Sequence, residues 1–121
     1  HGDEGAAIIK KIDQTTDIKG GHTLKPGPYA KESIPARNNL RKFTKEETDT
    51  TTKIGNRNGC HTCGTKDPGT KSGNFVKDHQ PATGINTSNQ PQSLFPQCIS
   101  CSRQQGGAVN AFKQLMKKLF K

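Results

Sequence analysis

The sequence predicts a small α+β domain that a metal site, more than a large apolar core, holds together. Leu, Ile, Val and Phe make up only 20 of the 121 residues and Trp is absent, so little apolar surface is available for burial. The four cysteines form two Cys-x-x-Cys pairs, which can supply the missing stability. Short strand-like stretches lie between the pairs and helical patterns lie outside them, with much irregular sequence in addition.

The first 26 residues are predicted to be a linker or a loosely docked arm. Gly and Pro residues at 20–21 and 26–28 interrupt any regular structure there. The predicted boundaries are residues 1–26 for the arm and residues 27–121 for the domain.

A first helix is predicted from Lys45 to about Ile54. Thr44 has the N-cap position, and Glu47 three residues later completes a capping box. Gly55 is predicted to end the helix.

A second helix is predicted over residues 109–120, where apolar residues recur at helical spacing and lysines occupy the other face. We expect its apolar face to pack on the domain core and its lysines to be solvated. A helix that lies on a membrane surface is the alternative.

The charge balance favours a polyanionic partner. Lys and Arg number 19 against 10 Asp and Glu, which gives a net charge of +9. Nucleic acid, an anionic membrane or an acidic protein would complement such a surface. No run of 18 apolar residues is present, which argues against a transmembrane helix, and residues 1–11 lack the apolar stretch of a signal peptide.

The two cysteine pairs predict a closed, structural zinc site. Each Cys-x-x-Cys turn presents two thiolates on one side, and two such turns complete a tetrahedral site. Such a site leaves no open position for catalysis, and its binding free energy contributes to folding. Two disulfides or a redox-active pair are the alternatives. The predicted ligands are Cys60, Cys63, Cys98 and Cys101.

An insert of 34 residues, 64–97, separates the pairs, which is longer than the roughly 15–20 of a simple zinc ribbon. Phe75 and Val76 predict a short strand that Pro81 ends. Residues 93–97 are predicted to form a return strand.

Asp78 and His79 are the candidate catalytic residues of this insert. A carboxylate can bind a hard divalent cation, and an imidazole can take a proton from an attacking water. A cation beside a phosphodiester stabilises the charge that develops during its hydrolysis. An Asp-His dipeptide alone is weak evidence, since chance placement or a capping Asp also explains it. The catalytic interpretation is favoured because Asp78 and His79 lie between two predicted zinc knuckles in a basic chain.

Four stretches carry a resemblance to a known family: residues 27–37 (GPYAKESIPAR), 59–65 (GCHTCGT), 69–76 (GTKSGNFV) and 96–107 (PQCISCSRQQGG). Together with the Asp-His-x-Pro motif they resemble the HNH, or His-Me finger, nucleases. The type that they resemble is the endonuclease VII-like treble clef with a four-cysteine zinc site. The resemblance is closer still to the toxin domains at the C-termini of bacterial polymorphic toxins, including Rhs-type effectors. It covers about residues 27–110.

The resemblance implies a ββα-metal core on the zinc treble clef, flanked by helices. It implies that His79 is the general base and that Asp78 binds a catalytic divalent cation, with Mg²⁺ favoured and Mn²⁺, Ni²⁺ or Zn²⁺ as alternatives. In endonuclease VII-like members an Asn follows the last cysteine and can bind this metal. Here Ser102 has that position, so Ser102, Gln104, Gln105 or water would be the further ligand.

Two arginines are candidates for phosphate contacts. Arg103, near the start of the helix after the second pair, would clamp the scissile phosphate, or it is simply solvent-exposed. Arg37 would contact phosphate or form a structural salt bridge. His61 is expected to belong to the first knuckle but to lie outside the metal shell.

The function expected from these features is that of a metal-dependent endonuclease that cleaves DNA, with RNA also possible. The resemblance implies the toxin domain of an antibacterial effector, released from a larger carrier and delivered into the cytoplasm of a target bacterium. It also implies a cognate immunity protein, which the charge of +9 predicts to be acidic. No membrane partner is expected. A non-catalytic, zinc-stapled module that binds nucleic acid is the alternative, and a disulfide-stapled interaction domain is a third.

Overall fold

The computed structural model of the protein describes residues 18–120. This part of the chain contains two α-helices, three β-strands and two 3₁₀ turns. In chain order they are a 3₁₀ turn at Gly21–Leu24, β1 (Ile34–Pro35), α1 (Lys45–Asn58), β2 (Val76–Gln80), a 3₁₀ turn at Thr83–Ile85, β3 (Ser93–Gln97) and α2 (Ile99–Leu119). The predicted small α+β class is confirmed. Neither helix is long and apolar enough to cross a membrane, as far as the described residues go.

The three strands form one antiparallel sheet in the order β1-β3-β2. Asp78 pairs with Phe95 and His79 with Leu94, so both candidate catalytic residues are fixed by the pairing of β2 with β3. β2 forms one edge of the sheet, and α2 begins two residues after β3 ends. The strands predicted around Phe75 and over residues 93–97 are therefore present.

Helix α1 has the predicted N-terminus but a later C-terminus. Thr44 accepts a hydrogen bond from the Glu47 backbone, and the Glu47 carboxylate accepts one from the Thr44 backbone, which confirms the capping box. The prediction that Gly55 ends the helix is wrong. Gly55 lies so close to the ring of Phe75 that a Cβ would overlap it, so this glycine serves packing. The helix ends instead at Gly59, whose φ of 85° is left-handed.

Helix α2 is one continuous helix from Ile99, and the segment predicted over residues 109–120 is its second half. Ala108 and Phe112 are buried, which agrees with an apolar face packed on the core. The last turn departs from that prediction, because Leu119 is 48% exposed and Phe120 63%.

Most of the buried apolar residues belong to two separate clusters. One lies between α2 and the two 3₁₀ turns and contains Leu24, Ala82, Ile85, Ala108 and Phe112. The other surrounds the cysteines and contains Phe75 with Cys60, Cys98 and Cys101.

The predicted arm falls partly outside the described residues, since the structure describes none of residues 1–17. Within its described part, Thr23 and Leu24 are buried, at 0% and 2% exposure. Leu24 packs in the cluster of α2, so this end of the segment contributes to the core of the domain.

Candidate functional site

The four cysteines lie close enough together to bind one metal ion. Their sulfur atoms are all within 4.8 Å of one another, and the Sγ atoms of Cys63 and Cys98 are 3.7 Å apart. A tetrahedral site with Zn–S distances near 2.3 Å requires sulfur–sulfur distances of about 3.8 Å. The donor set and its spacing therefore fit a closed four-thiolate metal site.

The first knuckle is a tight turn that two glycines make possible. Gly64 donates its N–H to the Cys60 carbonyl at 2.8 Å, and Cys60 donates to the Thr65 carbonyl at 2.7 Å. Gly59 and Gly64 have φ angles of 85° and 82°, and a Cβ on Gly59 would overlap the carbonyl of Gly64. This backbone turns the thiols of Cys60 and Cys63 toward the same point.

The second knuckle is the N-terminus of α2. Cys98 is the N-cap, and its sulfur accepts a hydrogen bond from the backbone of Cys101 at 3.4 Å. Ile99 donates to the carbonyl of Pro68 at 2.9 Å, which ties the start of α2 to the loop after the first knuckle.

The protonation of the cysteine thiols depends on whether a cation is bound. All four are free rather than joined in disulfides. Burial raises the pKa of the Cys98 and Cys101 thiols, so they are protonated at neutral pH without a cation. Burial also acts to raise the pKa of Cys60, but backbone hydrogen bonds outweigh it and lower that pKa to about 7. A bound divalent metal ion would hold all four as thiolates.

The carboxylate of Asp78 is fixed through one of its two oxygens. Oδ2 accepts hydrogen bonds from Nε2 of His61 at 2.8 Å, Nε2 of Gln80 at 2.8 Å and Nε2 of Gln105 at 3.1 Å. Asp78 is only 5% exposed, yet it lines the cleft described below. With Oδ2 saturated, Oδ1 is the oxygen that Asp78 can offer to a cation.

Two glutamines connect Asp78 to the rest of the domain. Besides its bond to Asp78, the amide of Gln105 donates to the Thr23 carbonyl at 2.7 Å, and that of Gln80 donates to the same carbonyl at 3.3 Å. Gln105 comes from α2, Gln80 from β2 and Thr23 from the first 3₁₀ turn. The two amides thus link the Asp78 carboxylate, β2 and α2 to the first 3₁₀ turn.

The imidazole of His79 is held by a different set of partners from Asp78. Its Nε2 lies 3.0 Å from the carbonyl oxygen of Asn38, and its ring centroid lies 5.7 Å from that of Phe43. A carbonyl can only accept, so Nε2 carries the proton of this hydrogen bond. In the neutral ring, Nδ1 then has the free lone pair that a general base needs.

A cleft of about 830 Å³ lies along Asp78 and His79. Ser102 and Gln105 from α2 line it, as do three basic residues, Arg41, Lys77 and Lys113. The Lys77 ammonium lies 5.1 Å from the centroid of the Phe43 ring, a cation–π contact. Burial lowers the pKa of Lys77, while the charge of Glu47 opposes that shift.

The remaining predicted site residues differ in whether they line the cleft and in what they contact. Arg103 is exposed and does not line the cleft, so its predicted contact with the scissile phosphate has no geometric support. Arg37 forms the structural salt bridge, at 3.0 Å from Glu47, whose hydrogen bond raises the pKa of the guanidinium. Gln105 and Ser102 both line the cleft, and Gln105 donates its amide N–H groups to Asp78 and Thr23.

Sequence reasoning missed several residues of the site. The sequence pattern predicts for His61 only a place in the first knuckle, and it assigns no role to Gln80 or Arg41. The position of Gln80 was predictable from the sequence. Residues two apart in a strand lie on the same face, so Gln80 lies beside Asp78. The position of Arg41 was not, since it depends on the path of the loop before α1.

Comparison of the chain with protein-family models, with curated proteins and with solved structures found no match. The resemblance to HNH nucleases is therefore carried by the motifs alone. What the protein does has to be argued from the chemistry of the site.

Proposed function

We propose that the protein is a metal-dependent endonuclease that hydrolyses phosphodiester bonds, with DNA as the favoured substrate. One observation carries the proposal: a carboxylate with a free oxygen and an imidazole with a free lone pair line the same basic cleft. Phosphodiester hydrolysis needs a bound cation and a general base at one place. The motifs that resemble HNH nucleases point to the same pair, Asp78 and His79.

His79 supplies the general base. Nδ1 takes a proton from a water molecule as the oxygen of that water forms a bond to phosphorus. The bond from phosphorus to the leaving oxygen breaks, and that oxygen is protonated by solvent. The Asn38 carbonyl favours this role, because it holds Nε2–H and so leaves Nδ1 unprotonated in the neutral ring.

Asp78 Oδ1 would hold the catalytic cation. The described residues contain no group of three or more Cys, His, Asp or Glu ligands apart from the four cysteines. One carboxylate still fits Mg²⁺, which commonly binds one or two carboxylates and completes its shell with water and substrate phosphate. When bound, such a cation supplies positive charge for the phosphate oxygens. Ser102 lines the same cleft and is the remaining predicted ligand there.

The basic residues of the cleft would hold the sugar–phosphate backbone. Arg41, Lys77 and Lys113 line it, in a chain of net charge +9. Contacts of this kind position a nucleic acid without reading its sequence. Indiscriminate cleavage is the expected consequence.

Zinc is the proposed metal of the cysteine cluster, with a structural role. The similarity to polymorphic toxins extends the proposal to an antibacterial effector domain that acts in the cytoplasm of a target bacterium. An acidic immunity protein that covers the basic cleft would protect the producing cell.

The experiment that tests the proposal is plasmid cleavage with Mg²⁺ or Mn²⁺, comparing the wild type with His79→Gln and His79→Ala. The amide of Gln can keep the hydrogen bond to the Asn38 carbonyl, but it provides no base in place of Nδ1. We expect both variants to lose cleavage by about 10²–10⁴-fold while they keep their zinc. EDTA should stop the wild-type reaction, and zinc analysis of the EDTA-treated protein separates loss of the catalytic cation from loss of the structural metal.

Two outcomes would contradict the proposal. Full cleavage by His79→Gln would remove His79 from the mechanism. A folded, zinc-loaded wild type that cuts neither plasmid DNA nor tRNA and rRNA would favour the non-catalytic nucleic-acid-binding module, for which the basic cleft alone is sufficient.

A further inference from the structure

We propose that His61 is a positioning residue that couples the first cysteine knuckle to the metal-binding carboxylate of the cleft. The inference rests on the proposed function of Asp78. His61 lies between the knuckle cysteines Cys60 and Cys63, and its hydrogen bond would determine which oxygen of Asp78 faces a cation. His61 is 1% exposed, and its imidazole is the only ring among the three side chains bonded to Asp78.

The hydrogen bonds of His61 determine its tautomer. The backbone N–H of Gly27 lies 3.1 Å from Nδ1, and a backbone N–H can only donate, so Nδ1 is the acceptor. The proton of the neutral ring is therefore on Nε2, which lies 2.8 Å from Oδ2 of Asp78 and donates to it. Gly27 approaches closely enough that a Cβ would overlap the His61 carbonyl, so this contact requires glycine.

The backbone of His61 is fixed on both sides. Its N–H donates to the Pro96 carbonyl at 2.9 Å, and its carbonyl accepts from Tyr29 at 3.0 Å. Its ring centroid lies 5.3 Å from that of Phe95, the residue that pairs with Asp78 in the sheet. The ring is anchored through its backbone, both ring nitrogens and Phe95, so a metal that fixes Cys60 and Cys63 would also help to fix the donor of Asp78.

This arrangement suits a cation-binding carboxylate better than a salt bridge would. Both glutamine amides and the neutral His61 ring orient Oδ2 without adding a positive charge. A Lys or Arg in the same place would compete with the cation for the charge of Asp78. Hydrogen-bond partners behind a metal ligand typically change metal affinity by about 10–100-fold when they are removed.

Two substitutions separate the two hydrogen bonds of the ring. In His61→Gln the terminal amide takes the position of Nε2 and can still donate to Asp78, but the contact with Gly27 is lost. In His61→Asn the side-chain oxygen takes the position of Nδ1 and can still accept from Gly27, but nothing reaches Asp78. The pair is matched, because each variant keeps one hydrogen bond and carries the same type of group.

The measurement is Mn²⁺ affinity of the zinc-loaded protein, followed by electron paramagnetic resonance. Mn²⁺ prefers oxygen ligands and so reports the cleft rather than the thiolates. We expect His61→Gln to bind Mn²⁺ within about threefold of wild type and His61→Asn to bind it about 10–100-fold more weakly. In His61→Asn, cleavage relative to the wild type should fall less at saturating Mn²⁺ than at low Mn²⁺. Zinc content and a melting curve verify that each variant is folded.

The outcomes distinguish this inference from the proposed function. Equal Mn²⁺ affinity in the two variants, with wild-type cleavage intact, would overturn the role of His61 alone. A wild type that neither binds Mn²⁺ nor cleaves would overturn the proposed function. If neither variant folds, the tautomer of His61 in the wild type decides, by long-range ¹H–¹⁵N NMR. A proton on Nε2 alone supports the inference, and a proton on Nδ1 overturns it.

Discussion

The cysteine cluster and the Asp78–His79 cleft are built in opposite ways from neighbouring parts of the chain. The cluster takes its ligands from two short Cys-x-x-Cys turns and packs three of the four cysteines with Phe75. The cleft takes its partners from distant segments: the carbonyl of Thr23, the carbonyl of Asn38 and the amide of Gln105 all hold the Asp-His pair or its neighbours. The comparison shows that one region takes its ligands from two short repeated motifs, while the other takes its partners from single residues scattered through the fold.

The largest effect is expected when the cysteine cluster is broken. Cys98→Ala should unfold the domain, because the proposed structural zinc would contribute about 10–16 kcal/mol and a whole domain is stable by only about 5–15 kcal/mol. Circular dichroism melting and zinc analysis measure this. Ser100→Ala, an exposed position in the same knuckle, is the matched control and should melt like the wild type. A cooperative wild-type melt for Cys98→Ala would contradict a structural metal.

Asp78→Asn should impair the cleft while it leaves the cysteine cluster and the stability of the domain nearly unchanged. The amide oxygen of Asn can accept the three donors that now reach Oδ2, while its NH₂ group replaces Oδ1, the oxygen proposed to bind a cation. We expect cleavage to fall by about 100-fold or more, with a melting shift below about 8 °C, the equivalent of roughly 1 kcal/mol.

Asp78→Ala is the contrasting variant for that test. It leaves the buried donors of His61, Gln80 and Gln105 without their acceptor, which costs about 1–3 kcal/mol for each donor left unsatisfied. It should lose both activity and stability. Wild-type cleavage rates in Asp78→Asn would show that this carboxylate binds no catalytic cation.

The packing of the cysteine region can be tested without touching a sulfur. In Gly55→Ala the new methyl group would overlap the ring of Phe75, and overpacking of this kind costs about 1–3 kcal/mol. Gly107→Ala places the same methyl group on α2 with nothing within 4 Å, and better helix propensity should make it neutral or more stable by up to about 1 kcal/mol. Denaturant unfolding compares the two. A Gly55→Ala protein as stable as Gly107→Ala would show that the contact with Phe75 is not rigid.

The smallest effect concerns the rim of the cleft. Arg41→Ala should weaken binding to a DNA duplex and lower the slope of log affinity against log salt by about 1, as expected for one lost phosphate contact. Arg103→Ala is the matched control, because Arg103 is exposed and lies away from the cleft. A larger change in slope for Arg103→Ala would restore the prediction made for it from the sequence.

Local patterns in the sequence predicted much of the fold. The capping box of Thr44 and Glu47 and the return strand Ser93–Gln97 follow from short-range patterns. The proximity of the four cysteines was predictable because the same short motif occurs twice and two such turns complete one metal site. The end of α1 was predicted wrongly, because glycine usually stops a helix but Gly55 is required by the ring of Phe75, twenty residues away. Contacts over such distances leave no local pattern.

The sequence by itself determined the residue types of the candidate site: four thiols that can share one metal, and an Asp-His pair beside a strand end. Only the tertiary structure decided how these groups are oriented. It placed the donors of His61 and Gln105 on one oxygen of Asp78, the Asn38 carbonyl on His79, and Arg41 rather than Arg103 at the cleft. The physical reason is that ligand spacing within a turn is a short-range property, whereas the orientation of a buried carboxylate depends on donors that folding brings together.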